Sequence, residues 1–513
     1  MPVIDNPKPH VIPEGENATP LEVVGATASD KLVIIMVGLP GNGKTHVSRR
    51  ISRYISFFHD IPSQIFNVGE YRRKMVGVKL PASYYDHSNL EALAERKKAC
   101  DKALGDLIEY MAQDGVRLGI YDATNSTPEA RAEVLKRLKD SNLGVKKMFI
   151  EVICDDDNAL AENIHAVKSC TPDYKDVDPE EAVKDFMERR KNYMDIYKEV
   201  EDDEGSYVKV LNYRKFVIHN IRGYLPSKVV HFTMNLHTMP RTFYLTRHGQ
   251  SEYNTVGKIG GDSGLSKNGL EYAKRLAKYA NEVIGKKEVQ REDGEKVTVP
   301  QPARLWTSTL LRTKETAQFI KHETLDGAEF DNGDKVSWVN FRPNARRNLD
   351  ELYAGVCDGM TYKEIEEMYP DEFAARQNDK LKYRYPRGES YMDVTLRLEP
   401  LAHDLERTRE PILIVGHQGI HRIIYAYFMG LSRKEAPFVR IPLNHVIILK
   451  PHAYGCDEER ICLMPKHEMV CDGQDEPITS MPVKSLLTED KKEDDGGTLT
   501  KSGSDPLLDA PSC

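Results

Sequence analysis

The sequence predicts an α/β protein of two domains, each built on a sheet of mostly parallel strands. The first observation is an unbroken apolar run over Leu32–Val37, the composition of a strand that is buried on both faces. The second is an alternation of strand and helix patterns that starts near Lys31 and starts again near Phe243. Such alternation is typical of parallel sheets covered by helices.

The predicted elements follow one another at short intervals. In the first half, strands are predicted over residues 32–37, 64–68, 117–121 and 147–153. Helices are predicted over residues 44–58, 90–111, 158–167 and 179–200, and another begins at Thr127-Pro128, since proline suits the first helical position. In the second half, strands are predicted over residues 243–245, 305–307 and 412–415, and helices over residues 266–283, 311–322, 391–409 and 420–429. Ser266 is the predicted N-cap of the first of these helices.

Composition divides the chain into two domains, a terminal segment at each end and two polar loops. Residues 1–30 are predicted as a flexible arm and residues 466–513 as an acidic, disordered tail. The two domains are predicted to cover residues 31–238 and 239–465, with the boundary near residues 225–239. Within the second domain, the polar stretches 285–302 and 324–344 are predicted as long surface loops.

Charge and cysteine usage exclude several classes of protein. The net charge of −8 and the lack of a basic stripe argue against nucleic-acid binding. No apolar run is long enough to span a membrane. Eight cysteines without paired metal-ligand spacing favour reduced thiols and a cytoplasmic location.

A glycine-rich loop follows the first strand and matches a phosphate-binding motif. Gly38, Gly43, Lys44 and Thr45 have the spacing G-x-x-x-x-G-K-[ST], and Gly41 lies between them. Glycines let the loop turn tightly, so that backbone N–H groups converge on phosphate oxygens, and the next helix adds its positive end. Lys44 can reach the β- and γ-phosphates, and the Thr45 hydroxyl can bind Mg²⁺. The motif predicts a nucleoside triphosphate site.

Asp122 follows the predicted strand 117–121, at the same sheet edge as Gly38. It can hold the metal through water or orient an attacking hydroxyl, although an aspartate here is also common at the start of a turn. An acceptor with its own phosphate would need cationic partners. The candidates are Arg72, Arg73, Arg96, Lys168 and Arg189.

Two histidines follow strands in the second half. His248 follows the predicted strand 243–245, and His417 follows the predicted strand 412–415. Both histidines are therefore expected at one edge of one sheet. A single histidine at such a position is usually structural, but a pair accompanied by Arg247 and Arg312 suits phosphoryl transfer. His248 would attack phosphorus, and Glu351 would protonate the leaving oxygen.

With these motifs the chain resembles the bifunctional 6-phosphofructo-2-kinase/fructose-2,6-bisphosphatase family over nearly all of residues 31–465. The resemblance rests on residues 38–45, 67–73, 122–125, 161–168, 246–249, 260–266 and 385–391. The histidine motif by itself would only place the chain near phosphoglycerate mutases and acid phosphatases.

The resemblance implies an N-terminal P-loop kinase-like parallel sheet and a C-terminal histidine-phosphatase domain of the phosphoglycerate-mutase type. The first domain would use ATP and Mg²⁺ to phosphorylate the 2-hydroxyl of fructose 6-phosphate. The second would hydrolyse fructose 2,6-bisphosphate through a phosphohistidine. The family also implies a homodimer, whereas nucleic acid and membranes are not expected partners.

The resemblance also assigns roles to individual residues. In the kinase, the implied fructose 6-phosphate ligands are Arg72, Arg96, Thr124, Lys168, Arg189 and Tyr193. Asp122 and Cys154 belong to the implied kinase site, and Asn163 to the nucleotide segment; Thr45 and Asp122 are the metal ligands predicted above from the motif. In the phosphatase, His248 is the implied nucleophile, Glu351 the acid and His417 a phosphoryl stabiliser. The implied bisphosphate ligands are Arg247, Asn254, Gly260, Arg312, Tyr362, Arg376, Lys380, Tyr391, Gln418 and Arg422.

The sequence departs from the family pattern at several positions. Ala130 stands where relatives usually carry arginine, so one sugar-phosphate contact is either lost or shifted to Arg131. The phosphate loop contains Asn42, and Gln250 replaces a frequent glutamate. No reacting group is missing, so both activities are expected.

Three alternatives remain at the level of sequence. The first is an enzyme with only one of the two activities, which the complete set of reacting residues disfavours. The second is a polynucleotide end-processing enzyme, which the lack of a basic groove disfavours. The third is a non-catalytic scaffold that binds a metabolite, which would not need two histidines at one sheet edge.

Overall fold

The computed structural model describes residues 31–156, 160, 172–174, 177–291, 294–329, 335–452 and 455–469. The predicted arm, the helix predicted over 158–167 apart from Leu160, and the tail beyond residue 469 lie outside the described residues. In the described part, no helix combines the length and the apolar composition needed to cross a membrane. The five cysteines described there are free.

The N-terminal domain is an α/β unit. Its strands are β1 (Leu32–Val37), β2 (Ser63–Asn67), β3 (Leu118–Asp122), β4 (Lys146–Ile153), β5 (Tyr207–Leu211) and β6 (Lys215–His219). Its described α-helices are α1 (Lys44–His59), α2 (Val68–Val76), α3 (Leu90–Ala112), α4 (Pro128–Asp140), α5 (Pro179–Met194) and α6 (Tyr224–Thr233).

The six strands form one sheet in the order β2-β3-β1-β4-β5-β6, and all except β6 are parallel. The strand β1 is fully buried because its two faces meet different clusters of apolar side chains. Leu32, Ile34 and Met36 pack with residues of α1, whereas the alternate residues of β1 pack with α3 and α4. Burial on both faces explains the unbroken apolar run in the sequence.

The C-terminal domain contains a second sheet and two separate hairpins. Its strands are β7 (Phe243–Arg247), β8 (Lys286–Gln290), β9 (Lys296–Pro300), β10 (Arg304–Thr307), β11 (Thr324–Glu329), β12 (Lys335–Val339), β13 (Pro343–Ala345), β14 (Ile412–Gly416), β15 (His445–His452) and β16 (Gly455–Cys462). Its α-helices are α7 (Glu252–Thr255), α8 (Lys267–Tyr279), α9 (Leu311–Ala317), α10 (Tyr362–Met368), α11 (Pro370–Asn378), α12 (Tyr391–Arg407) and α13 (Gln418–Met429).

The order of the second sheet is β13-β10-β14-β7-β15-β16. Its first four strands are parallel, and β15 and β16 are antiparallel. In the pairing of β7 with β14, Arg247 lies opposite Gly416, so these two strands end side by side. This register decides the position of the residues that follow.

Several sequence expectations for the fold are corrected. The predicted loop 285–302 contains the hairpin β8–β9, and the predicted loop 324–344 contains β11, β12 and β13. Both hairpins stand outside the main sheet, so strand formation there does not require an apolar face. Near the predicted domain boundary, residues 225–233 form most of the helix α6, with Leu225, Val229 and Phe232 fully buried.

The two domains meet along α1, which packs against α12 and α13. Glu406 of α12 accepts hydrogen bonds from Arg50 of α1, from Arg241 at 2.5 Å and from Tyr427 of α13 at 2.7 Å. All four side chains are buried. Apolar residues around them form one continuous cluster that includes strands of both sheets. The domains therefore share an interior as well as a chain connection.

Candidate active sites

The phosphate loop runs from the end of β1 to the start of α1 and depends on its glycines. Gly38, Gly41 and Gly43 have φ values of 137°, 84° and 92°, which disfavour any side chain. A Cβ on Gly43 would lie 2.1 Å from the Tyr213 hydroxyl. Because Gly43 offers no capping side chain, the first N–H groups of α1 remain available to an anion.

Lys44 is the first residue of α1 and points back along the loop. Its Nζ donates to the Leu39 carbonyl at 2.9 Å. Burial lowers the pKa of the Lys44 ammonium to about 8, and the nearby Asp122 opposes this shift. Among the described residues no carboxylate forms an ion pair with Lys44, and a buried cation of this kind is well suited to an incoming phosphate.

Three polar side chains meet at the end of the neighbouring strands. The pairing of β2 with β3 sets Asn67 beside Asp122. Oδ2 of Asp122 accepts from the Thr45 hydroxyl at 2.8 Å and from Asn67 Nδ2 at 2.5 Å. These are hard oxygen ligands of the kind that Mg²⁺ prefers. The described residues contain no cluster of three or more His, Cys, Asp or Glu that could hold a metal alone.

A cavity of about 1110 Å³ opens beside the loop. Eleven of the candidate site residues predicted from the sequence line it: Gly41, Gly43, Lys44, Thr45, Arg72, Arg73, Arg96, Asp122, Thr124, Arg189 and Tyr193. Every described lining residue lies between positions 40 and 196, so the cavity belongs to the first domain alone. Asn163 and Lys168 lie outside the described residues.

The cationic residues of the cavity are held in place by their neighbours. Arg72 donates to Asp173 Oδ2 at 2.6 Å and to the Gly77 carbonyl at 3.0 Å. The guanidinium of Arg189 stacks on the Tyr85 ring at 3.7 Å. Arg96 donates to the Tyr85 carbonyl at 3.3 Å. Asp173 is a site residue that the sequence analysis missed, because nothing in its local sequence marks it.

The structure decides between the two outcomes left open for Ala130. Ala130 lines the cavity, but Arg131 is fully buried elsewhere. Arg131 donates to both carboxylate oxygens of Glu204, at 2.6 and 2.7 Å, and to the Lys198 carbonyl at 2.9 Å. The idea that the contact is shifted to Arg131 is therefore wrong, because this guanidinium is fully engaged in tertiary packing.

Cys154 does not line the cavity. Its thiol is buried behind the phosphate loop in a cluster with Leu160, Tyr174 and Phe186, and burial raises its pKa. Its backbone carbonyl accepts a hydrogen bond from Arg190 at 3.3 Å. A role for Cys154 in the kinase site stays a prediction, and the contact assigns it to support of the loop rather than to contact with substrate.

The second site lies where β7 and β14 end. The N–H of His248 donates to the Gly416 carbonyl at 3.0 Å, which continues the strand pairing by one residue. The rings of His248 and His417 are consequently 5.2 Å apart between centroids. Both side chains are buried. The expectation that two histidines meet at one sheet edge is met by this geometry.

Hydrogen bonding assigns the tautomer of His248. His248 Nδ1 lies 2.7 Å from the Gly249 carbonyl, which can only accept, so Nδ1 carries the proton and Nε2 keeps its lone pair. The N–H of Gly249 donates to the Thr316 hydroxyl at 2.9 Å, which fixes this peptide. His417 Nε2 lies 2.8 Å from the Ser308 hydroxyl, and its Nδ1 has no partner among the described residues.

Two arginines and one glutamate surround the histidine pair. Burial, together with Arg312 and Arg247, holds the pKa of His248 well below 6.5. Arg312 is anchored by a hydrogen bond of 2.7 Å to the Gly261 carbonyl, and Arg247 by one of 3.2 Å to the Ile441 carbonyl. Glu351 accepts from the Gly419 N–H at 3.2 Å, at the start of α13.

The remaining predicted ligands form a neighbouring basic cluster. Arg422 donates to the Tyr391 hydroxyl at 2.9 Å. The guanidinium of Arg376 is 5.6 Å from the Tyr362 ring. Burial, with Arg422 and Arg376 nearby, lowers the pKa of Lys380 to about 7. Such crowding of cations favours an anionic ligand.

Three other predicted ligands lie in the first turn of a helix or in a loop. Asn254 forms a capping box with Ser251 at the start of α7. Gly260 has a φ of 70°, and a Cβ there would lie 1.7 Å from Asp358 Oδ1. Gln418 is the first residue of α13, directly after His417.

The comparisons with known proteins match both domains. The family model for 6-phosphofructo-2-kinase matches residues 22–240, and the model for the histidine phosphatase superfamily, branch 1, matches residues 243–463. The rat 6-phosphofructo-2-kinase/fructose-2,6-bisphosphatase 3 is 39% identical over 84% of this chain and 72% of its own length. The chicken 6-phosphofructo-2-kinase/fructose-2,6-bisphosphatase is 38% identical over 89% of this chain and 90% of its own. The fructose-2,6-bisphosphatase of Saccharomyces cerevisiae is 38% identical over 84% and 88%.

The fold and the two sites define a bifunctional enzyme with a phosphoryl-transfer domain and a histidine-phosphatase domain. The chain belongs to the 6-phosphofructo-2-kinase/fructose-2,6-bisphosphatase family. It combines a kinase that uses ATP with a bisphosphatase. The sequence predictions of the family, the fold class and the enzyme class are confirmed.

Proposed function

We propose that the chain makes fructose 2,6-bisphosphate in the cavity of the first domain and hydrolyses it at His248 in the second. The observation that carries this proposal is the presence of two separate phosphate sites. One is the loop with Lys44, in a cavity lined by residues 40–196. The other is an imidazole lone pair next to Arg247 and Arg312.

In the kinase, the phosphate loop holds the donor. The N–H groups of the loop and Lys44 bind the β- and γ-phosphates of ATP. The 2-hydroxyl of fructose 6-phosphate attacks the γ-phosphorus, and the bond from that phosphorus to the β,γ-bridging oxygen breaks. ADP leaves with the bridging oxygen, and the hydroxyl proton passes to water. Asp122, held by Thr45 and Asn67, is positioned to orient that hydroxyl or to face the metal.

Mg²⁺ fits the donor set of this site. Thr45 and Asp122 are the residues that would hold it, directly or through water. When bound, the ion neutralises charge on the transferring phosphates. The acceptor is recognised by its own phosphate, for which Arg72, Arg96 and Arg189 already lie in the cavity.

In the phosphatase, Nε2 of His248 attacks the 2-phosphorus, and the bond from phosphorus to the sugar oxygen breaks. Glu351, beside the histidine pair, gives a proton to that oxygen. Arg247, Arg312 and His417 stabilise the charge on the transferring phosphoryl group. Water then attacks the phosphohistidine and releases phosphate. The neighbouring cluster around Arg376, Lys380 and Arg422 binds the other phosphate of the sugar.

The test is to assay both reactions on one purified preparation of each variant. Lys44→Ala should lower synthesis by about 10²–10³-fold and leave hydrolysis intact, because it removes one charge-stabilising group from one site. His248→Ala should abolish hydrolysis and leave synthesis intact. Loss of both reactions in the folded Lys44→Ala protein would contradict two separate sites.

The intermediate gives a second test. Brief incubation with bisphosphate labelled at the 2-phosphate should leave an acid-labile, base-stable label on the protein, and His248→Ala should remove it. A label on serine would rule out the histidine nucleophile.

We also propose a cellular location, an oligomeric state and domain boundaries for the enzyme. We propose a cytoplasmic homodimer whose kinase and phosphatase domains span residues 31–238 and 239–465. The resemblance to the family supports this assembly. Light scattering of the purified chain tests the dimer, and mass spectrometry of the fragments from limited proteolysis of the full chain tests the boundary.

A further inference from the structure

Arg190 lies under the phosphate loop and joins three segments of the first domain. From α5, its Nη1 donates to the Pro40 carbonyl and to Asn42 Oδ1, both at 2.6 Å. Its Nη2 donates to the Cys154 carbonyl at 3.3 Å, just beyond β4. The side chain is buried and does not line the cavity. It thus contacts the loop from the side opposite to the substrate.

Asn42 is the residue of the phosphate loop whose side chain contacts Arg190. Its Nδ2 donates to the Val152 carbonyl of β4 at 2.7 Å, while its Oδ1 accepts from Arg190. Its own carbonyl accepts from the Tyr213 hydroxyl at 3.3 Å. Asn42 is only 2% exposed, so its amide has no access to ligand. Both ends of this amide are used to fix the backbone.

The loop needs such support because of its chemistry. Glycines with positive φ are the residues that lose most conformational freedom on ordering, and convergent N–H dipoles repel one another before an anion arrives. Contacts that hold this conformation in advance leave more binding energy for the nucleotide. Arg190 and Asn42 supply five such contacts on the side away from the cavity.

The next residue on α5 faces the substrate instead. Arg189 lines the cavity and stacks on Tyr85, whereas Arg190 points beneath the loop. Consecutive residues on a helix project about 100° apart, since there are ~3.6 residues per turn. One rigid helix therefore carries both a group for the acceptor and the support of the donor loop.

We propose that Arg190 and Asn42 are positioning residues of the kinase, which hold the phosphate loop in its ATP-binding shape and fix its distance from Arg189. This inference rests on the proposed function of the cavity. It predicts that the pair acts on nucleotide binding and transfer, with no part in the phosphatase reaction.

The experiment uses the full chain and both assays. Arg190→Met should lower kcat/KM for ATP by about 10²-fold, the scale of a loss of positioning at a distance. KM for fructose 6-phosphate and the rate of hydrolysis should stay within about twofold of the wild type. Lys191→Met is the matched control, because this exposed neighbour on α5 carries the same charge.

A second pair of variants separates positioning from general damage. Asn42→Ala should lower kcat/KM for ATP by about tenfold, and the double variant should lose less than the two single effects combined, because the residues share one contact. A collapse of α5 would instead move Arg189 and raise KM for fructose 6-phosphate.

The outcomes are decisive in each case. If Arg190→Met behaves as Lys191→Met in synthesis, the inference is wrong, whereas the proposed function stands as long as Lys44→Ala still stops synthesis. If Arg190→Met also loses hydrolysis, the synthesis assay of Asn42→Ala decides the question. An unchanged kcat/KM for ATP in Asn42→Ala overturns the inference.

Discussion

At the scale of single residues, the neighbours of His248 set the tautomer and the charge of its ring. The Gly249 carbonyl takes the proton of Nδ1, and this leaves the lone pair on Nε2. Burial and the two nearby arginines keep the pKa of the ring well below 6.5. The imidazole of His248 therefore remains neutral in mildly acidic solution. The same shift lowers stability in acid, because below pH 6.5 the unfolded chain takes up a proton that the folded chain does not.

A variant of Arg312 tests this control. Arg312→Gln removes a positive charge that disfavours the imidazolium form, so the pKa of His248 should rise. The acid limb of the pH profile of kcat/KM for hydrolysis should move to higher pH by the same amount, in addition to any loss of rate. The exposed Arg347, changed to Gln, is the control. An acid limb that stays in place would show that Arg312 does not set the protonation of His248.

At the scale of elements, tertiary hydrogen bonds end one helix earlier than the sequence pattern predicts. The helix predicted over residues 179–200 ends at Met194. Beyond it, the carbonyls of Lys198 and Glu199 accept from Arg131, and the Val200 N–H donates to Glu151. These groups are unavailable to a helix because they hold distant parts of the chain. Helix propensity is a weaker effect than these buried contacts.

The hairpin β8–β9 provides a prediction at this scale. Lys286 and Pro300 are cross-strand partners, and all five residues of β8 are exposed. Replacement of residues 287–299 by Asn-Gly should therefore leave the melting temperature within about 2 °C, because little buried area is lost. Both activities should remain. A large fall in the melting temperature or in hydrolysis would mean that the hairpin supports the domain.

At the scale of the whole molecule, the two domains depend on one buried charge. Glu406 is fully buried between Arg50 of the first domain and Arg241, which leads into the second. Burial raises the pKa of this carboxyl, and the two arginines lower it. The net shift is downward, so the carboxyl stays ionised. The catalytic sites are separate, but their scaffolds are joined by this contact.

Loss of that charge should weaken both domains together. Glu406→Gln leaves two arginines buried without a counter-charge, so the free energy of unfolding should fall by about 3–5 kcal/mol. Denaturation can be followed by the fluorescence of Trp306 and Trp338, the only two tryptophans, and by kinase activity. Glu367→Gln, which breaks an exposed ion pair of 3.9 Å, should have little effect. Separate transitions for the two signals in the wild-type protein would contradict a shared interior.

The sequence by itself determined the strand ends and the chemistry placed on them. The buried strand before Gly38, the strands before His248 and His417, and the residue types at their ends follow from local pattern and from the rule that parallel strands end at one edge. The positions of these motif residues at the sheet edges were therefore predictable from the sequence. The helix starts at Ser266 and Thr127 were found for a similar local reason, since each side chain caps its own helix.

Only the tertiary structure decided which residues support those groups and how the halves meet. Arg190, Asp173, Ser308 and Thr316 act through partners up to 150 residues away in the chain, as between Arg190 and Pro40, and no local pattern records such contacts. The fate of Arg131 was decided in the same way, by acceptors on distant segments. Local propensity fixes short-range geometry, whereas the satisfaction of buried polar groups depends on the complete fold.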